Sequence, residues 1–431
     1  MSLSTLAEQT QFGELPLDFV ALVLMRLPVD ARLRAREVSR GWRALLNEPR
    51  FWLVLNFTRG SGVVARLTLA LLFAAGERGR GHLHTLDLTG TEGLLAEDLV
   101  QFVAAHGQSL RTVTAPEKIY FRADEVTRLC RSAPLCTLRC RVRCRAAEAP
   151  PLLRCEAPCA LVHVVQLVIG GGYYNNQQAV LDFAAALPSH RGKIKVFNVY
   201  EALLGNGAVA DALMHGVAEA CVSDVTFLWC HLTPASMPGL TRLLQAGCLE
   251  RLHINNDRLA LFEAGPDLTS FCHTLRSSTL QTLRLSTCDL WRDRTAAGEL
   301  LAVLVGHLTL RELTLLFSGV GDTDDARRAA GEQIASLITH NSALQKLDLS
   351  WTPWSFLGDA GLAPIFEALP CSSTLKELLF YDEIIGREFA RDVILPAVRA
   401  NTSLRTLRIH VFGRTGVPEL TEAQDIVAAR T

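Results

Sequence analysis

Residues 340–350 read HNSALQKLDLS and residues 400–410 read ANTSLRTLRIH. Both follow one pattern, apolar-x-x-apolar-x-apolar: Leu344, Leu347 and Leu349 in the first, Leu404, Leu407 and Ile409 in the second. In both, a polar step (Asn341-Ser342, Asn401-Thr402) separates a helical pattern from that run. The final alternation is that of a strand with one buried face, because successive strand side chains point to opposite sides. Working outward, the same spacing returns at Leu83, Leu249, Leu280 and Leu310, with Leu375 differing only in its last apolar residue, Phe380. Weaker copies start at Leu110, Leu135, Val164, Ile194 and Val222. The starts recur at a mean of about 29 residues. A unit of that length has room for a strand, a turn and a whole helix. The intervening segments Met237 to Ala246, Glu299 to His307, Arg327 to Thr339 and Glu388 to Ala400 carry apolar residues at helical spacing.

Cys230 and Cys288 each fall three residues after the last strand apolar and two before a leucine. A small polar side chain at that place can satisfy backbone groups of the turn. The whole pattern resembles the ribonuclease-inhibitor-like class of leucine-rich repeats over residues 83–413. The resemblance implies an α/β solenoid, a horseshoe with parallel strands on its concave face and helices on its convex face. In such an array each repeat packs only on its neighbours, so the 431-residue chain need not divide into conventional domains.

Composition supports a folded, soluble protein: 49% of residues are apolar and 20% charged. The formal charge is −1, which gives no global reason to expect nucleic acid as a partner. The N-terminus lacks the features of a secretory signal. Its longest loose apolar run, Val63 to Ala75, is interrupted by Arg66 and is too short to span a bilayer. These readings predict no membrane partner and a cytosolic or nuclear chain. In such a reducing compartment the 12 cysteines are expected as free, mostly buried thiols.

Residues 13–57 do not follow the repeat. Leu15-Pro16 opens a helical stretch with Phe19, Val20, Val23 and Leu24, and Leu27-Pro28 closes it. A second stretch carries Leu33, Val38 and Trp42, Pro49 breaks it, and Phe51-Trp52 add aromatic bulk. Short helices bury little alone, so their apolar surface must be covered by the repeats or by another protein. This segment resembles an F-box: both Leu-Pro pairs, the run Val38-Ser39-Arg40-Gly41-Trp42 and the closing Pro49-x-x-Trp52 match, while Arg32 and Arg34 replace a more apolar stretch. The resemblance implies a Skp-family adaptor of a cullin–RING ubiquitin ligase as partner. Leu15, Pro16, Leu27, Pro28, Val38, Arg40, Trp42 and Trp52 would then serve that interface or the module's own core. The alternative is a helical cap on a non-ligase repeat protein, an inhibitor-like or GTPase-regulating scaffold. Residues 1–12 read as a flexible N-terminus, 58–82 as a helical junction holding a buried helix over Val63 to Ala75, and 414–431 as a C-terminal cap.

A target would meet the strand residues between the core positions. For a repeat starting at s these are s+2, s+4 and s+6. They include Arg139, Arg141, Tyr200, Arg251, His253 and Arg284, together with Asn198, Asn255 and Ser286. Arginine forks suit carboxylates and phosphates, so an acidic or phosphorylated target is expected. Trp229, Trp351 and Trp354 fall just after strand ends, where tryptophan can anchor a partner.

No catalytic or cofactor chemistry emerges. The cluster Cys130, Cys136, Cys140, Cys144, Cys155, Cys159 and His163 lacks well-separated zinc pairs, and Cys140 occupies a strand core position. Gly170-Gly171-Gly172 lacks the order of a dinucleotide-binding loop. The chain is therefore read as a non-enzymatic adaptor without cofactor or metal.

Overall fold

A computed structural model describes residues 17–27, 29–57, 65–79, 81–135, 137–145, 147–148, 161–170, 177–202, 204–256, 261–316, 323–349, 357–381, 385–410 and 417–430. The chain divides into two compact units, Met1–Cys144 with Arg154–Gln166, and Arg145–Leu153 with Leu167–Thr431.

In the first unit, three helices come first: α1 (Leu17–Arg26), α2 (Val29–Val38) and α3 (Arg40–Leu45). Ser39 starts α3 as an N-cap, its Oγ accepting from the Trp42 N–H at 3.1 Å. Val20, Ala21 and Leu24 of α1 are buried, as are Val29, Ala35, Leu46, Phe51 and Trp52. Arg32, which interrupts the apolar pattern, is itself buried. Its guanidinium donates to the carbonyls of Leu27 and Phe51, tying the start of α2 to the short turn Pro49–Phe51. A buried arginine is tolerated there because its donors meet carbonyl oxygens.

The parallel sheet of this unit takes β1 (Val54–Asn56), β3 (Thr85–Asp87), β5 (Thr112–Thr114) and β7 (Thr137–Arg145) in that order. β6 (Tyr120–Phe121) pairs with Arg141 and Val142 of β7, and β2 (Ala65–Arg66) pairs with β4 (Thr91–Glu92). The sheet thus acquires a strand at residues 54–56, upstream of the first clean leucine repeat. The helix expected over Val63 to Ala75 is instead α4 (Leu69–Arg78), with Ala65–Arg66 in a strand. The Thr68 hydroxyl accepts from the Leu71 N–H and sets the helix start. α5 (Ala96–His106) and α6 (Ala123–Ser132) complete the strand–helix alternation.

In chain order β8 (Leu161–Gly170) follows. The second unit then repeats one motif in strict sequence. Strands β9 (Val196–Tyr200), β10 (Asp224–Leu228), β11 (Arg251–Asn255), β12 (Thr282–Ser286), β13 (Glu312–Leu316), β14 (Lys346–Leu349), β15 (Glu377–Tyr381) and β16 (Thr406–His410) each pair in parallel with the next. The pattern residues Leu252, Ile254, Leu283, Leu285, Leu313, Leu315, Leu347 and Leu349 are buried. Helices connect the strands, among them Met237–Gln245, Arg294–Val305 and Asp324–His340. The expected helix near 388–400 is Arg387–Phe389, a π-turn at Ala390–Ile394, and Leu395–Ala400. The helices Asp324–His340 and Gly358–Ala368 touch so closely that a Cβ added to Gly331 would come within 2.0 Å of the Gly361 carbonyl oxygen.

The polar steps have a repeated role. Asn341, 4% exposed, accepts from the Ala343 and Leu344 N–H groups and donates to the carbonyls of Leu304 and His307, in the preceding repeat. Asn401 does the same with Ser403, Leu404, Leu369 and Ser372. Cys230 donates its thiol to the strand carbonyls of Val199 and Leu228, Cys288 to those of Ile254 and Ser286, and burial raises both thiols to about 12, so they remain protonated. In the repeat between them Asn256 plays this part, bonding both the N–H and the carbonyl of Leu232. One expectation is corrected. Cys221 and Cys248 are joined as a disulfide with their Cα atoms 5.4 Å apart, not left as free thiols. They lie in the turns before β10 and β11, which adjacent repeats bring together although the residues are 27 apart in sequence.

Candidate protein interfaces

The first surface is built by α1. Ten residues carry only Asp18 and Arg26 as charges, and an amphipathic helix buries only one stripe. Val20, Ala21 and Leu24 form that stripe. Phe19, Leu22, Val23 and Met25 point elsewhere and are 53%, 55%, 37% and 39% exposed. Phe19, Leu22 and Val23 stand at i, i+3 and i+4, so they make one contiguous apolar patch. Val38, at the end of α2, is 54% exposed as well. Sequence reasoning placed Phe19 and Val23 in the helix without assigning them to a surface. The available signal was a helix apolar on more than one face.

The residues singled out from sequence fall into different places. Val38 and Arg40 are exposed, and Leu27 and Trp42 are half-buried. Leu15, Pro16 and Pro28 lie outside the described residues. Trp52 falls on the core side of the division between interface and core: it is fully buried, and its indole N–H donates to the Leu46 carbonyl at 2.7 Å. A large aromatic with its one polar atom satisfied internally is core, and offers nothing to a second protein.

The second surface is the strand face turned away from the buried leucines. In the first unit, β7 alternates strictly: Leu138, Cys140, Val142 and Cys144 are buried, Arg139 and Arg143 exposed, and Arg141 half-buried. The guanidinium carbons of Arg141 and Arg143 lie 5.9 and 4.8 Å from the centroid of the Tyr120 ring. Burial raises the Cys140 thiol to about 12, which disfavours it as a metal-binding thiolate.

In the second unit the expected residues are electrostatically mixed. Arg251 bonds Asp224 at 2.8 Å on the adjacent strand, and Lys346 lies 3.5 Å from Glu377. The register row that begins with Asp224 and Arg251 continues through Thr282, Glu312, Lys346 and Glu377, so charges of opposite sign nearly alternate across it. Arg284 is exposed and makes no ion pair among the described residues. His253 is half-buried beside it; burial, and after that the Arg284 charge, lowers the imidazole to about 4 and keeps it neutral near pH 7. Tyr200 and Asn255 are half-buried, and Asn255 is taken up by the Thr287 hydroxyl, which donates to its Oδ1 at 2.5 Å. Asn198 and Ser286 are corrections. Alternation turns them to this face, yet they are only 6% and 4% exposed, covered by their neighbours. Trp229 follows β10 with φ of 55° and is 46% exposed; Trp351 and Trp354 lie outside the described residues.

Parallel strands stacked in chain order, most of them followed by a helix, with Cys230, Asn256, Cys288, Asn341 and Asn401 bonding the turns, form a leucine-rich-repeat fold. The N-terminal helices ahead of that array are an F-box: the sequence profile of the F-box domain matches residues 12–54. No curated protein sequence matches the chain. Among solved structures, it is similar to the leucine-rich-repeat protein LegL7 of Legionella pneumophila, at 12% identity and a TM-score of 0.38, over 88% of this chain and 98% of that one. It is also similar to a yeast structure of the Rad7 and Elc1 complex, at 12% identity and a TM-score of 0.38, over 97% of each chain. The tropomodulin C-terminal domain of Caenorhabditis elegans is similar at 18% identity and a TM-score of 0.29, over 38% of this chain and 95% of that one.

Proposed function

We propose that this chain is the target-recognition subunit of an SCF-type (Skp–cullin–F-box) E3 ubiquitin ligase, working in the cytosol or nucleus. In this reading the F-box binds a Skp-family adaptor and through it the cullin–RING core, while the open strand face of the repeats holds the target protein. The chain itself does no chemistry; ubiquitin transfer belongs to other subunits, and no cofactor or metal enters.

The observation that carries the reading is the apolar patch of Phe19, Leu22, Val23 and Met25 within the matched F-box segment. Burying a side chain of this size contributes about 1.5–3 kcal/mol. Four such groups left in water are a liability that a partner protein removes. Val38 and Arg40 extend the exposed surface at the junction of α2 and α3.

Capture of the full-length chain by a purified Skp-family adaptor tests this directly. The double substitution Phe19→Asp/Leu22→Asp is expected to reduce capture by about 100-fold or more, since buried charge without a partner is costly at an interface. Its thermal midpoint should stay within a few degrees of the parent, because neither side chain is core. Equal capture by parent and variant, or no capture of the parent, would return the chain to the alternative of a repeat scaffold with a helical cap.

A further inference from the structure

Arg139, Arg141 and Arg143 project from the same side of β7, followed by Arg145 at the strand's end, with Leu138, Cys140, Val142 and Cys144 buried on the other. Side chains two residues apart on a strand stand roughly 6.7 Å apart, so the three guanidinium groups form a regular row about 13 Å long at its base. Tyr120 of the adjoining β6 lies under two of them and limits their wandering. None of the three makes an ion pair with a described residue, in contrast to Arg251 with Asp224 and Lys346 with Glu377. Across the register the row Asp87, Thr114, Arg139 places the nearest strand-face acid two strands away. That acid is occupied locally, its Oδ1 accepting from both the N–H and the hydroxyl of Thr89. Three like charges held in line repel one another, and the nearest described carboxylate on their own strand's side, Glu148, is bonded to the Arg145 N–H at 3.0 Å and not to any of the three guanidinium groups.

We propose that this row binds an extended, phosphorylated segment of the target in which phosphoserine or phosphothreonine recurs at every second residue. An extended peptide has the same repeat as β7, so anions at alternate positions would each meet one guanidinium. Arginine binds phosphate through two parallel N–H donors and does so better than it binds a carboxylate with half the charge. The proposal rests on the reading of the open strand face as the target site. It replaces a general preference for acidic targets with one strand, three residues and one spacing.

The test uses the full-length chain and dye-labelled peptides followed by fluorescence anisotropy. One peptide carries three phosphoserines at alternate positions, a second carries them at every third position, and a third is unphosphorylated. A single-stranded oligonucleotide of matching charge is the fourth probe. The alternate peptide should bind about tenfold tighter than the every-third peptide, and its affinity should fall steeply as salt rises. Arg139→Gln/Arg141→Gln/Arg143→Gln should weaken it by about tenfold or more, and the corresponding triple lysine variant by less, since lysine keeps the charge and loses the fork. Arg128→Gln, on α6 and paired with Glu97, should leave it unchanged. Equal binding of the two phosphopeptides, indifference to the triple glutamine variant, or tighter binding of the oligonucleotide would each overturn the proposal. Adaptor capture is measured on the same samples. A parent chain that captures the adaptor but ignores the alternate peptide defeats this inference alone; one that binds the peptide but not the adaptor defeats the ligase reading alone.

Discussion

Helix α1 and the repeat helix Asp324–His340 place their apolar residues in opposite ways. In the repeat helix Ala326, Ala330, Ile334, Leu337 and Ile338 are buried, and its outward residues are charged or polar. In α1 the buried stripe is matched by an equally apolar outward one, Phe19, Leu22, Val23 and Met25. The difference separates surface that the chain covers for itself from surface it leaves exposed. A repeat array can satisfy each helix with the next repeat. Three short helices have no such supply, and their excess is left exposed.

The contrast is sharpest under truncation. Ile334→Ala should cost about 2–5 kcal/mol of stability by opening a cavity in a packed layer, whereas Leu22→Ala should cost less than about 0.5 kcal/mol. Chemical denaturation of the two variants decides it, and comparable losses would erase the distinction between the helices. Gly331→Ala should destabilise by about 1–3 kcal/mol, opposite to the usual gain for alanine in a helix, because the new methyl meets the Gly361 carbonyl. A rise in the thermal midpoint would show that the two repeat helices are not in close contact. Asn341→Ala should also cost about 1–3 kcal/mol, since it strips partners from buried N–H groups and from the carbonyls of Leu304 and His307. The last effect appears only as pH falls. His253 is held near 4 in the folded chain, below its ordinary value of 6.5, so the unfolded chain binds the extra proton first. Stability should therefore fall as pH drops from about 6.5 toward 4. His253→Gln should shallow that slope, and an unchanged pH profile of the melting temperature would remove the histidine from the account.

Much of the fold was legible because leucines at a fixed spacing are forced to one face of a strand. The strands from Arg251 onward begin where the clean repeats predict, and even the weaker starts at Leu110 and Val222 lead into strands Thr112–Thr114 and Asp224–Leu228. Both Leu-Pro pairs and the Trp42 segment were enough to find the F-box. What stayed hidden depended on which side of an element meets its neighbours. Whether Trp52 serves an interface or the core stayed open because nothing in the sequence says that Leu46 curls back to take its indole N–H. The exposed face of α1 was hidden by a helix apolar all round, whose periodicity does not say which side wins. The Cys221–Cys248 bond needs two helix-to-strand turns placed side by side, one of them with Cys221 at φ of 56°. The Asp224–Arg251 pair was within reach: both occupy the first outward position of adjacent repeats, and in-register parallel pairing brings them together.

The asparagines at the helix-to-strand steps carry one more implication. Asn341 and Asn401 each belong to two repeats at once, bonding the N–H groups of their own turn and the carbonyls of the turn before. A chain cut at residue 400 would lose more than its last strand, because the carbonyls of Leu369 and Ser372 would lose the amide that closes them. Damage at one end is thereby handed back to the neighbour. Shortened versions of the array should fray progressively from the cut instead of ending cleanly at a repeat boundary.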